Sequence, residues 1–493
     1  MSLTAERPWS DSAVQRDQRA AEGQECLALL RRLAQTLAAA GVQYCQWKGQ
    51  FKRERWAHGV GDIDLLIARE SAGPFFSVLA DLGFKLTTPP AAQSIAGVSS
   101  YIGMDIPSGK LVHLHVHWSL VIGSLWRTMY RVPLERVTLK TVVPTELFPV
   151  PAPAIEYVLF VLRQVQRYKL RDALRAPRWL AAVQAERRFL ERRGGADSPA
   201  LDRLLAEHLP QITPEFVQRA ARSLTGRGTS WRRPLLHREL QRRLGAHESR
   251  SAPRLLTRLT VAFQTIVPEN PPRSNKHVAT GGAIIALAGA DGAGKSTCAR
   301  ALLEWLSPFV HTTHAQLGKP RRSLRTLVVG ALLKLARLLE WCSPVPAMYA
   351  HQLRNVATAS DRYRLYKRVR ALAQTGALVI CERYPVRADR LVGPAIPDTV
   401  PAGVSHSRLT RLLIGMERRY YERMLPPDLL LVLQVDAPTA VRRKTTEPAE
   451  YVRERADLAF AADWTQSSAR VVDASGALEH VLAQLRACIW RVI

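Results

Sequence analysis

The chain has 493 residues, 47% of them apolar and 23% charged, and its 70 Lys and Arg against 42 Asp and Glu give a net charge of +28. Such a composition excludes global disorder and a small disulfide-stapled module, and at about 150 residues per domain it suggests roughly three domains. The surplus of positive charge points to anionic partners, whether phosphorylated small molecules, nucleic acid or an anionic membrane surface, without choosing among them.

Residues 1 to 23 contain no apolar run that could serve as a signal peptide and read as a disordered tail. Leu29, Leu30, Leu33 and Leu37 recur at helical spacing, with Gly41 just beyond, which predicts a helix over 24 to 40. A strand is expected over Val42 to Trp47, a second over Asp62 to Ile67, a helix over Pro74 to Leu82 and an extended piece over Phe84 to Leu86. Leu111 to Leu120 (LVHLHVHWSL) alternates apolar residues with His and Ser, as a half-buried strand does. Residues 24 to 150 therefore read as an α+β domain. Residues 151 to 266 turn helical and Arg-rich, a connector domain, and 267 to 282 concentrate Pro, Asn, Ser and Gly as a linker.

From residue 283 to 493 strands and helices alternate, which predicts an α/β domain with a parallel sheet. Strands are expected over 283 to 288, 377 to 381, 429 to 435 and 470 to 473, and helices over 295 to 306, 323 to 375, 409 to 424 and 477 to 490. Leu324 to Leu339 is unusually apolar and reads as a membrane-interface helix or as a buried helix or dimer contact. Six cysteines, Cys26, Cys45, Cys298, Cys342, Cys381 and Cys488, form no CxxC pair and no Cys/His cluster at zinc spacing. Reduced thiols and the absence of any run of 18 apolar residues suit a cytoplasmic protein, peripheral to a membrane at most.

The sequence Gly289-Ala290-Asp291-Gly292-Ala293-Gly294-Lys295-Ser296-Thr297 fits GxxxxGK[ST], with an apolar strand before it and an amphipathic helix after. Glycines let successive backbone N–H groups converge on phosphate, Lys295 reaches the β and γ phosphates, and Ser296 offers its hydroxyl to Mg²⁺. A second strand delivers Glu382-Arg383-Tyr384 at its carboxyl end, where ligands collect in open α/β sheets. Glu382 there holds Mg²⁺ or its water and Arg383 clamps a phosphoryl group, or the two are a helix cap and a surface arginine.

Over residues 282 to 493 the chain resembles the thymidylate kinase family of P-loop nucleoside monophosphate kinases. The resemblance is carried by GADGAGKST, by LVICERY where that family usually has DRY, and by PPDLLLVLQVDAPTAVRRK and VVDASGALEHVLAQL. It implies ATP and Mg²⁺ as cofactors, a nucleotide site over Gly289 and Gly292 to Thr297, contact of Asp291 with the acceptor, and a lid carrying the catalytic arginine. Arg442 and Arg443 stand where that lid begins, or on a solvated helix face. Arg364 and Arg368 either hold an acceptor phosphate or form one exposed helix face. The chain lacks the family's acidic motif after the P-loop helix, and PVRADR replaces the usual continuation of DRY. The acceptor class therefore stays open between a nucleotide and another phosphorylated or sugar-like metabolite, and a homodimer is a further expectation.

Residues 25 to 180 resemble the nucleotidyltransferase superfamily, in particular a bacterial branch with LKG, DIDLLV and DxHW motifs. Here these stand as Trp47-Lys48-Gly49, Gly61-Asp62-Ile63-Asp64-Leu65-Leu66-Ile67 and His117-Trp118. The resemblance implies a second site in which Asp62 and Asp64 hold divalent metal and Lys48 and Gly49 meet phosphate. Where a third acidic residue is expected, two positions before His117, this chain has His115. The leading expectation is an ATP- and Mg²⁺-dependent phosphotransferase joined to this domain. A nucleotide-gated scaffold for lipid or nucleic acid, and a nucleotidyltransferase with a regulatory P-loop domain, are the alternatives.

Overall fold

The computed structural model describes residues 26–90, 93–123, 128–167, 177–224, 232–250, 274–318, 320, 322–338, 345–385, 407–461, 464 and 468–493. The expected tail, the last part of the connector, the first part of the linker and most of PVRADR lie outside the described residues. The chain divides into two units, Met1–Glu269 and Asn270–Ile493.

In the first unit, α1 (Ala28–Ala39) buries Leu29, Leu30, Leu33 and Leu37, the helical stripe expected from the sequence. Five strands follow, β1 (Tyr44–Lys48), β2 (Asp62–Ile67), β3 (Lys85–Thr88), β4 (Val98–Asp105) and β5 (Lys110–His117), with α2 (Ala72–Asp81) between β2 and β3. Within this unit they lie in the order β1-β2-β5-β4-β3, and β2 with β5 is the parallel pair. No strand was expected over β4, because Ser99, Ser100 and Gly103 blur its alternation; pairing with β5 along its length forms it.

Alternation divides the strands between two cores. Ile63, Leu65 and Ile67 of β2 and Leu114 and Val116 of β5 pack with α1 and α2, whereas Leu66, with Cys45 and Trp47 of β1, joins a second core. That second core continues through α3 (Pro153–Arg167), α4 (Pro177–Arg192), α5 (Ser198–His208), α6 (Pro214–Ser223) and α7 (Arg233–Arg243). The stretch read as a separate connector thus shares its core with the sheet. Helix α3 explains why: Ala154 to Leu162 are all buried, Glu156 among them, and a helix buried on every side needs partners on every side.

In the second unit, β6 (Ala283–Gly289), β7 (Thr312–Gln316), β8 (Leu378–Glu382), β9 (Leu429–Gln434) and β10 (Arg470–Asp473) form a sheet in the order β7-β8-β6-β9-β10, every pair parallel. Strand β7 was not expected, because TTHAQ is polar. The helices are α8 (Lys295–Leu306), α9 (Leu324–Leu338), α10 (Val345–Gln374), α11 (Arg408–Glu422), α12 (Ala437–Arg443), α13 (Ala449–Ala461) and α14 (Leu478–Val492). Every residue of β6 is buried, as a strand covered on both faces requires. The buried reading of the apolar stretch over 324–339 does not hold for α9: Leu324, Leu327, Val328, Leu332 and Leu335 are exposed, while Leu333 is buried. Among the described residues no helix is long and apolar enough to cross a membrane.

Candidate functional site

Strand β6 is central, and the chain leaves its carboxyl end through residues 290–294 into α8, between neighbours β8 and β9. This is the position at which open α/β sheets bind ligands. Two glycines fix the loop. Gly289 has φ +140 and Gly292 φ +86, and a Cβ on either would meet a backbone oxygen, Leu433 O at 2.4 Å and Ala440 O at 2.6 Å. Only glycine fits both.

Lys295 is buried at the first turn of α8, and its Nζ donates to Gly289 O and Ala290 O, each at 2.8 Å. The ammonium therefore lies folded back over its own loop. Burial pushes it down to about 8, with the Asp291 carboxylate opposing that shift. Ser296 Oγ donates to Glu382 Oε2 at 2.6 Å, and His314 Nε2 is 2.8 Å from Glu382 Oε1. The hydrogen bond from His314 holds the Glu382 carboxyl below its ordinary range against its burial, and the Ser296 hydroxyl adds to the effect. A hydroxyl and a carboxylate side by side are hard oxygen donors and fit Mg²⁺.

Arg383 follows Glu382 with φ +54, alone among non-glycine residues described. That conformation costs about 1–2 kcal/mol. It accompanies an ion pair of Nη2 with Asp291 Oδ1 at 2.9 Å. Arg455 of α13 reaches the other oxygen of Asp291, Nε to Oδ2 at 3.9 Å. Asp291 thus gathers Lys295, Arg383 and Arg455 at the mouth of the loop.

The remaining expected arginines are placed differently. Arg442 Nη2 donates to Thr439 Oγ1 within its own helix, and Arg443 donates to Ala474 O at 2.7 Å and Ser475 O at 3.1 Å. Arg443 lines a cleft of about 210 Å³ with Ala293, Gly294, Thr297 and Cys298 of the loop and α8. Arg364 and Arg368 are exposed, and Arg364 pairs with Asp361 at 2.8 Å. Arg362, which sequence reading passed over, turns inward: its guanidinium donates to Leu317 O, to Gly318 O and to the Tyr421 hydroxyl. His314 and Arg455 were missed as well, one in an unforeseen strand and the other more than ten residues past the lid motif.

The first unit carries a second cluster. Register places Asp62 opposite His113 and Asp64 opposite His115, and an irregularity in β1 sets Lys48 opposite Asp64. Asp64 Oδ1 is 3.0 Å from Lys48 Nζ, 3.0 Å from His117 Nε2 and 3.4 Å from His115 Nδ1. Burial raises the Asp64 carboxyl, but Lys48 and the hydrogen bonds from His115 and His117 hold it well below the usual range. Burial lowers the Lys48 ammonium against Asp64, and pushes the His117 imidazole down to about 4 against its hydrogen bond to Asp64. His117 also stands edge-on to Trp47, ring centroids 5.1 Å apart. Gly49 has φ +87 and opens the short turn Gln50–Lys52 after β1. The expected aspartates, lysine and histidine are therefore brought together; His113 was missed, although its alternation with His115 and His117 could have flagged it.

No protein-family model matches the chain. Two curated proteins of Escherichia coli K12 are similar to it in sequence. The Uncharacterized ATP-binding protein YghR is 25% identical over 228 residues, which cover 42% of this chain and 86% of that protein. The Uncharacterized ATP-binding protein YghS is 27% identical over 236 residues, covering 41% and 91%. Among solved structures, thymidylate kinase from Candida albicans is similar at 20% identity with a TM-score of 0.28, over 43% of this chain and 91% of that one.

Proposed function

We propose that the second unit is an ATP- and Mg²⁺-dependent phosphotransferase of nucleoside monophosphate kinase type, acting on a nucleotide or another phosphorylated or sugar-like acceptor. One observation carries the reading. A glycine-bounded loop at the carboxyl end of a central parallel strand has Lys295 at its close, with Ser296 bonded to the Glu382 carboxylate of the neighbouring strand. The ATP-binding names of the two Escherichia coli relatives support ATP as the donor.

In this reading the loop N–H groups and the N-terminus of α8 receive the donor phosphates. Lys295 exchanges its two carbonyl partners for phosphate oxygens, which adds to a buried ammonium more opposite charge than Asp291 gives it at 3.9 Å. The cleft beside Arg443 takes the donor base. Ser296 and Glu382 would hold Mg²⁺, which when bound neutralises charge on the phosphates. Arg383 and Arg455 leave Asp291 for the migrating phosphoryl group, and Asp291 is released to the acceptor. The acceptor oxygen forms a new bond to the γ phosphorus as its bond to the bridging oxygen breaks, giving ADP and the phosphorylated acceptor. In the first unit, Asp62 and Asp64 of β2 with Lys48 of the adjacent β1 are the residues on which a nucleotidyltransferase-like reading of that region would rest.

The test is ATP consumption by the full chain across a panel of nucleoside monophosphates, nucleosides and sugar phosphates. Acceptor-dependent ADP formation that is lost in K295A and kept in the D62A/D64A double variant supports the kinase. Pyrophosphate release lost only in the double variant would move the chemistry to the first unit.

A further inference from the structure

The histidine and aspartate cluster of the first unit is independent of the kinase reading. Strand alternation puts Asp62 and Asp64 on one face of β2 and His113, His115 and His117 on the same face of β5, away from the core that takes Leu114 and Val116. One ligand atom from each of Asp62, His113 and His115 lies within 4.8 Å of the other two. We propose that Asp62, His113 and His115 bind one divalent first-row transition metal ion of the zinc class, rather than the pair of magnesium ions that two free carboxylates would hold.

Three features lead there. The donor set is two imidazoles and one carboxylate, and imidazole suits Zn²⁺ and its neighbours, whereas magnesium asks for oxygen ligands. A second cation has no carboxylate to itself, because Lys48 Nζ and His117 Nε2 already sit 3.0 Å from Asp64 Oδ1. His113 is also held from behind: its Nε2 is 2.7 Å from Ser100 Oγ, which in turn is 3.0 Å from Thr87 Oγ1. His113 Nδ1 meets Asp62 Oδ1 in a hydrogen bond at 2.5 Å, and a bound ion would take the place of the shared proton, with the imidazole proton then on Nε2 and held by Ser100, the outer-shell arrangement that orients metal-binding histidines. The side chains of Asp62 and His115 are 33% and 20% exposed, so the ion would keep open positions for water or an anionic ligand.

The experiment titrates Co²⁺ into the full chain after chelator treatment, follows its visible absorption, and then competes with Zn²⁺ and with Mg²⁺. Wild type takes up one equivalent with the bands of nitrogen and oxygen ligands and no sulfur-to-cobalt charge transfer. Zn²⁺ displaces it and millimolar Mg²⁺ does not. H115Q and D62N each weaken uptake by about tenfold or more. They act from different strands, so that misfolding of one leaves the other to decide, and H480Q on α14 serves as the control that keeps full uptake. Uptake unchanged in both site variants, sulfur bands, or displacement by equal Mg²⁺ would each overturn the assignment. K295A binds Co²⁺ as wild type does, which keeps this outcome separate from that of the kinase reading.

Discussion

Glu382 closes a strand of an all-parallel sheet, whereas Asp62 and Asp64 open a strand of a mixed one, and their neighbours differ accordingly. At the parallel edge the strand ends converge, so Glu382 meets the hydroxyl of Ser296, from the first turn of the helix after the adjacent strand, and His314, from the strand on its other side. In the mixed sheet the partners come straight across the register, so Asp62 and Asp64 face the imidazoles of His113 and His115 residue for residue. On the two proposals, the same residue class serves in one case a hard cation among phosphates and in the other a softer one among imidazoles.

The sharpest way to break that comparison is K295A. Removing the one ammonium that the loop encloses should lower acceptor-dependent ADP formation by about 10²–10³-fold, the scale of losing a preorganised charge in a water-poor site. Single-turnover kinetics read it, and Co²⁺ uptake by the first unit should not move. E382Q comes next. It keeps the shape and removes the charge, so the Mg²⁺ concentration for half-maximal rate should rise by about 10–100-fold, the scale of losing a partner in a metal site. A rate that stays independent of Glu382 would detach magnesium from β8.

Smaller is the contrast between two arginines of successive helices, Arg442 of α12 and Arg455 of α13. R455A removes a guanidinium that approaches Asp291, while R442A removes one engaged with Thr439 in its own helix. Losing one charge-assisted hydrogen bond of about 1.5–3 kcal/mol lowers a rate about tenfold or more. That loss is expected in kcat for R455A and not for R442A. The reverse order would return the catalytic role to the start of the lid.

The two sites were not equally legible. The phosphate loop is contiguous, and its glycines, Lys295 and Ser296 stand within eight residues of one another, so its chemistry could be read in order along the chain. Glu382 was legible because an apolar run so plainly ends at it. His314 and Arg455 come to the site through an unforeseen strand and a helix beyond the lid motif, and Arg362 turns inward through helix facing, none of which a spacing rule encodes. In the first unit Asp62 and His113 are joined by register alone across 51 positions, and strand β4, which braces His113 through Ser100, hid behind its serines. The core of the helical region was hidden for a related reason: apolar periodicity in α3 shows that a helix is buried, not which sheet it is buried against.

That burial yields a prediction about stability rather than rate, in the first unit and away from both sites. Glu156 of α3 is 5% exposed and pairs with Arg193, whose Nη1 lies 2.6 Å from Oε2. Burial raises its carboxyl from 4.5 to about 7; Arg193 and Arg163 oppose the shift and Glu186 adds to it. A folded pKa above the unfolded one means that the native state keeps its proton while the unfolded chain has lost it. The associated stability is full below about 4.5, falls as pH rises, and is gone above about 7. At 1.36 kcal/mol per unit the span is on the order of 3 kcal/mol. E156Q keeps the neutral shape at every pH and still offers Arg193 an oxygen. Its melting temperature should therefore change less than that of wild type between pH 5 and pH 8, with the variant gaining several degrees relative to wild type at the upper end. Parallel curves would mean that Arg193 keeps Glu156 ionised throughout, and that this helix holds a true ion pair inside the core.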